Sequence, residues 1–247
     1  MKNYIIEDQF KLQVARGKVK GASVVNIFGH NNSQGTTFRT VWELSNTTAL
    51  ALPATARQMT VTSAANATDN GVVIRIIGLD ANYNQIAENV TLNSTTPATT
   101  TQSFLRINTV VTVSGNATGD VSVKGPTGTT IYAYILAGTG KNQAAIYTVP
   151  AGHQFYLYRI DAFMNDASAA KPGEFRNKST GANGTILRVA DTPFLNQMNI
   201  QRRFPFAYGE KTDVEMQLRT LSGTSYCGVF AEGIVIKSDT PIPGSTD

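Results

Sequence analysis

Cysteine occurs once in the 247 residues, at Cys227, and histidine twice, at His30 and His153. A single thiol allows no intrachain disulfide and no cysteine metal cage. Within SYCGVF it reads as a small buried hydrophobe rather than a nucleophile. Neither histidine has H-x-x-x-H spacing or a local carboxylate partner, so both are expected as solvated loop residues and no metal is expected. Charge is also scarce, at 15% of residues. The net charge of +4 is thinly spread. Lys11, Arg16, Lys18 and Lys20 form the densest basic stretch, and Arg202–Arg203 is the adjacent pair elsewhere. No basic run is interleaved with aromatic residues as in a single-strand groove, which argues against nucleic acid and for a solvated face or an acidic protein partner. Apolar runs are too short to span a membrane, so no membrane is expected. The opening MKNYIIEDQF puts Glu7 and Asp8 where a secretory leader has its apolar core, so no export leader is expected.

The motifs of catalysis are equally thin. A nucleophile elbow needs G-x-S-x-G, and GTSYC puts Cys227 in the last position. A phosphate loop needs G-x-x-x-x-G-K-[ST], but Ile135 precedes Gly140–Lys141 where the first glycine belongs and Asn142 follows where the hydroxyl belongs. No dinucleotide fingerprint is present, and neither an enzyme nor a cofactor is expected.

What the chain does have is Thr, Asn, Ser and Gly around short runs of β-branched and aromatic residues, a composition of strands and turns. In VVIRIIGLDANYNQIAENVTL the D-A-N-Y-N step has oxygen-bearing side chains at alternate positions. A helix-loop-helix calcium site would need glycine where Gln85 stands and glutamate where Thr91 stands. The stretch therefore reads as a hairpin with its tip at Asp80 to Asn84. Strands are expected at TFRTVWEL, RQMTVTS, GVVIRIIGL, QIAENVTL, SFLRINTVVTV, DVSVKG and TTIYAYIL, and again at AIYTV, FYLYRI, EFRNK, TILRVA, QMNIQRRF, DVEMQLRTL and YCGVFAEGIVIK. No helix is expected, although an isolated turn could form near DTPFLNQ. Phe10, Leu12 and Val14 alternate with polar or small residues at strand period. The expected architecture is all-β: an extended N-terminal arm over 1–35, antiparallel sandwich or jelly-roll units over 36–143 and 144–239, and a loose tail over 240–247. Trp42, Tyr156 and Tyr158 could stack on a sugar, but their alternation with Phe155 and Leu157 fits a core face and a sheet surface better.

Three stretches, LQVARGKVKGASVVNIFGHN, IRIIGLDANYNQIAENVTLNSTTPATTTQSFLRIN and AIYTVPAGHQFYLYRI, carry a resemblance. They are similar to a family of β-rich virion proteins of tailed bacteriophages, marine podoviruses in particular. That resemblance implies a non-enzymatic structural protein located in the virion and assembled in the host cytoplasm. Its partners would be the major capsid protein, or portal and tail proteins, and further copies of itself in a homotrimer. Capsid decoration, cementing or a head fibre is the role expected, with a neck or tail accessory protein and a host-glycan-binding adhesin as alternatives. The arm would be the attachment element, through Phe10, Lys11, Leu12, Val14, Arg16, Lys18, Lys20, Val24, Val25, Ile27 and Phe28.

Overall fold

The computed structural model describes residues 10–165 and 171–238, so the expected tail over 240–247 and residues 1–9 of the arm lie outside the described residues. Its strands are β1 Ala22–Gln34, β2 Arg39–Thr40, β3 Thr60–Ser63, β4 Val73–Leu79, β5 Gln85–Thr91, β6 Ala98–Thr99, β7 Arg106–Ser114 and β8 Val121–Lys124. They continue with β9 Ile131–Ile135, β10 Ile146–Thr148, β11 His153–Asn165, β12 Pro172–Thr180, β13 Ile186–Leu195, β14 Gln197–Tyr208, β15 Asp213–Thr220 and β16 Ser225–Lys237. Every pairing among them is antiparallel, as the alternating runs predict.

The larger sheet runs β1-β16-β11-β14-β13-β12-β15-β10, with β2 paired to β15. Strands β13 and β14 meet only at Leu195 and Gln197, where Asn196 takes a left-handed turn. At that corner the sheet doubles back, and side chains of both halves, among them Ile27, Phe155, Phe175, Met216 and Val229, share one core. This is sandwich packing, each strand turning alternate residues inward.

In β11 the inward face changes phase. Phe155 and Leu157 are buried, and simple alternation would bury Arg159 next. A bulge between Leu157 and Arg159 shifts the register instead, so Ile160, Ala162 and Met164 enter the core. Arg159 is left outside to pair with Asp161 at 2.7 Å.

The second unit lies between β2 and β10 in the chain. Its sheets, β6-β3-β8-β9 and β5-β4-β7, close on a separate core that includes Met59, Ile74, Ile76, Phe104, Val110 and Ile135. The D-A-N-Y-N step is the hairpin tip between β4 and β5. Asp80 Oδ1 accepts the amides of Asn82 at 2.8 Å and Asn84 at 2.9 Å, and Tyr83 takes a positive φ. That is the Asx-turn chemistry read from the sequence.

Two expectations need correction. Residues 22–34 are no arm separate from the body: β1 pairs with β16 from Ala22↔Ile236 to Gln34↔Ser225, and Ile27 enters the main core. Residues 10–15 are helical rather than extended. Phe10 and Val14 pack against the sheet while Leu12 is 56% exposed, the separation of i and i+4 from i+2 that a helix imposes and a strand forbids. The turn expected near DTPFLNQ falls within that stretch, at Asn196, after strand up to Leu195.

Candidate assembly surface

The short helix lies on the outer face of β16 and β11. Phe10 and Val14 pack with Tyr156, Tyr158, Ile234 and Ile236, and the Lys11 ammonium sits 4.7 Å from the centre of the Tyr158 ring. Gly17, with φ of +67°, ends the helix by donating its amide to Val14. Lys11, Leu12, Val24, Tyr158, Gly233 and Ile234 line a groove of about 430 Å³ between helix and sheet.

The arm residues therefore divide. Leu12, Val24 and Phe28 face solvent with Lys11, Arg16, Lys18 and Lys20, whereas Phe10, Val14, Val25 and Ile27 are turned into packing. The split follows from the pleat of β1, which sends Val25 and Ile27 to one face and Val24 and Phe28 to the other.

Further along this face four rings gather. Phe28 stacks near His30 with centroids 6.4 Å apart, His30 meets Tyr226 edge-on at 4.7 Å, and Tyr226 lies 6.0 Å from Phe163. Gly228 is their floor, because a Cβ there would come within 2.5 Å of the Phe163 ring. His30 is thus a strand residue and no loop histidine; its Nε2 is buried without a partner, and burial lowers its pKa, favouring the neutral ring. His153 opens β11 and holds the Ala151 carbonyl through Nδ1 at 2.7 Å.

Sequence reasoning missed Phe163 and Tyr226. Their outward alternation was the available signal, but which strands lie beside them depends on the β1, β16 and β11 pairing across most of the chain. Of the stacking candidates that were named, Trp42 is fully buried with its indole N–H on the Thr48 carbonyl, and Tyr156 and Tyr158 are covered in part by the helix. Cys227 is buried beneath the same sheet, and desolvation pushes its thiol up to about 12, against nucleophilic use.

A further concave region lies between the units, about 450 Å³ lined by Tyr83, Arg106, Lys178, Asp213 and Glu215. Arg106 of β7 binds both oxygens of Asp213 of β15, at 2.8 and 2.9 Å, and also holds the Pro53 and Leu105 carbonyls. Glu215 is taken by Lys178 at 2.9 Å and by the Thr40 hydroxyl. Asn108 and Thr148 exchange amide bonds close by. Asp213 ties the units together through Arg106 while Glu215 is bound within the larger sheet, and the oxygens of both already have donors.

Nearby, Glu43 takes the Gln143 amide on one oxygen and leaves Oε2 buried without a partner. Burial raises its pKa to about 7 against the opposing pull of that amide. Among the described residues no group of three or more histidine, cysteine and acidic side chains is arranged to hold a metal, and no helix is long and apolar enough to cross a membrane.

Fold and surface together define an all-β, two-core protein with exposed apolar side chains gathered on one outer sheet face and at the corner of β13 and β14. No protein-family model and no curated protein sequence matches the chain. Among solved structures it is similar to the VP2 subviral particle of infectious bursal disease virus, at 11% identity and a TM-score of 0.25, over 90% of this chain and 74% of that one. A structure of the Gx strain of the same virus gives 11% identity and a TM-score of 0.24, over 89% and 72%. Both are viral structures, and at such TM-scores the likeness carries no argument about fold or function.

Proposed function

We propose that this chain is a non-enzymatic structural protein of a phage virion, decorating or cementing the capsid or forming a head fibre, and seated through the outer face of β1, β16 and β11. The observation that carries this reading is the run of exposed apolar side chains from Leu12 through Val24 and Phe28 to Tyr226 and Phe163. Large apolar groups gathered on one sheet face are the usual mark of a contact surface. Lys11, Arg16, Lys18 and Lys20 beside it suit an acidic capsid or portal surface. A neck or tail accessory role uses the same face. The four rings supply a second reading, a platform on which a host glycan stacks.

Deleting residues 1–30 would not test attachment, because it would strip most of β1 from β16 and uncover the core at Ile27. The test is instead the triple variant Leu12→Lys, Val24→Lys and Phe28→Lys, which changes exposed positions alone. Mixed with particles lacking the protein, the wild type incorporates and the folded variant stays in the supernatant. Equal incorporation rejects this face. Sedimentation of the wild type tests the homotrimer, and glycan binding that survives in a variant unable to incorporate favours the adhesin reading.

A further inference from the structure

A different surface is built at the corner where the large sheet doubles back. Strand β13 is paired along one side with β12, and its other side meets β14 only at Leu195. Its backbone from Ile186 to Phe194 therefore ends the layer as an open edge among the described residues. Ile186, Leu187 and Val189 are all exposed there. Soluble proteins blunt such edges with charge, proline or a bulge because an open edge recruits other strands. Pro193 blunts only the far end of β13.

Strand β14, across the corner, is blunted. Its register against β11 jumps from Leu157↔Phe206 to Arg159↔Gln201, so residues 202–205 stand opposite Tyr158 alone and bulge outward. This excursion carries Arg202, Arg203, Phe204 and Pro205, with Phe204 77% exposed.

The bulge and β13 meet through cations and rings. Arg202 lies 3.9 Å and Arg188 of β13 lies 4.8 Å from the Phe206 ring centre, and Arg203 lies 5.9 Å from that of Phe204. Of the other arginines at the sandwich surface, Arg159, Arg176 and Arg219 each have a carboxylate, in Asp161, Asp191 and Glu174, and Arg39 donates to the Ser45 carbonyl. Arg188, Arg202 and Arg203 have no carboxylate in salt-bridge reach among the described residues.

We propose that the open edge of β13, flanked by Arg188, Arg202 and Arg203, is a docking site for an extended acidic segment of a partner protein, which adds to the sheet as a further strand. The edge selects a polypeptide, since only a backbone of two-residue repeat matches its amides and carbonyls. The uncompensated arginines select acidic side chains and disfavour a second copy, whose own three arginines would be brought close by.

The full chain is titrated with a labelled synthetic peptide of about ten residues alternating Glu with Val and Thr, the length of a long strand. A lysine version of the peptide, dextran sulfate and single-stranded DNA are run beside it. The acidic peptide binds, slows amide exchange across residues 186–191, and releases as salt rises. Arg202→Glu with Arg203→Glu weakens it at least about tenfold, the scale of losing contact charges. Leu187→Glu with Val189→Glu, which leaves the arginines in place, abolishes the protection of β13. The proposal is overturned if no acidic peptide binds, or if binding leaves β13 exchange unchanged. It is equally overturned if dextran sulfate or DNA binds as well as the peptide through the same arginines, or if the protein pairs with itself through β13.

Discussion

The two units bury their cores by the same means and present opposite surfaces. Among exposed large hydrophobic residues, the unit between β2 and β10 contributes Val113 and Leu136, while Leu12, Val24, Phe28, Phe163, Ile186, Leu187, Val189, Leu195, Phe204, Leu221 and Tyr226 belong to the rest. The smaller unit exposes few large apolar side chains. The larger is unfinished on one face and at one edge. The proposed seating in a particle accounts for that difference, with contact surfaces on one unit and the other projecting.

The joint is where this contrast is most easily broken. Replacing Arg106 with Ala leaves Asp213 buried without its bidentate partner, and a loss of about 3–5 kcal/mol is expected. Chemical denaturation of the variant should show the smaller unit and the sandwich melting apart, where the wild type melts together.

Next in size is Glu43. Its folded pKa of about 7 exceeds its ordinary value of 4.5, so between those limits the folded protein holds the proton more tightly than the unfolded chain. The stability this contributes is fully present below about pH 4.5 and lost as pH rises through 7, by up to about 3 kcal/mol. Glu43→Gln should flatten that fall, as read from denaturation midpoints between pH 4.5 and 8.

Asp69 gives the opposite slope within the smaller unit. Burial would raise its pKa, but the Ser63 and Thr118 hydroxyls and the Thr118 and Gly119 amides donate to it, and together hold it at about 2. Its stabilisation is present above pH 3.8 and lost as pH falls through 2. Asp69→Asn turns an amide donor toward those donors and should cost about 1–3 kcal/mol, with faster exchange at the loops it ties and little change in the large sandwich.

The smallest effect on stability sharpens the comparison most. Lysine at Leu12 and Val24 should shift unfolding by no more than about 0.5 kcal/mol while preventing incorporation into particles. Lysine at Val113 and Leu136 should do neither.

Much of the fold was legible because strand period and turn chemistry are local. The D-A-N-Y-N tip needed only Asp80 and the residues up to Asn84 to be read. The helix at 10–15 was not legible, since the alternation of Phe10, Leu12 and Val14 reads as strand period and only burial shows that Leu12 faces away from the other two. The bulge that turns Arg159 out and Ile160 in is likewise a tertiary choice, made when β11 settles between β14 and β16. The assembly surface was half visible. Its β1 residues alternate as written, but their neighbours Tyr226 and Phe163 reach them through a pairing that spans nearly the whole chain, and no local pattern records it.

The most direct test of the proposed virion role is cryo-electron microscopy of phage particles that have incorporated this chain. The density should show the outer face of β1, β16 and β11 buried against a virion neighbour, with the unit between β2 and β10 pointing away. Particles in which the smaller unit makes the contact and Leu12, Val24 and Phe28 face solvent would contradict the account.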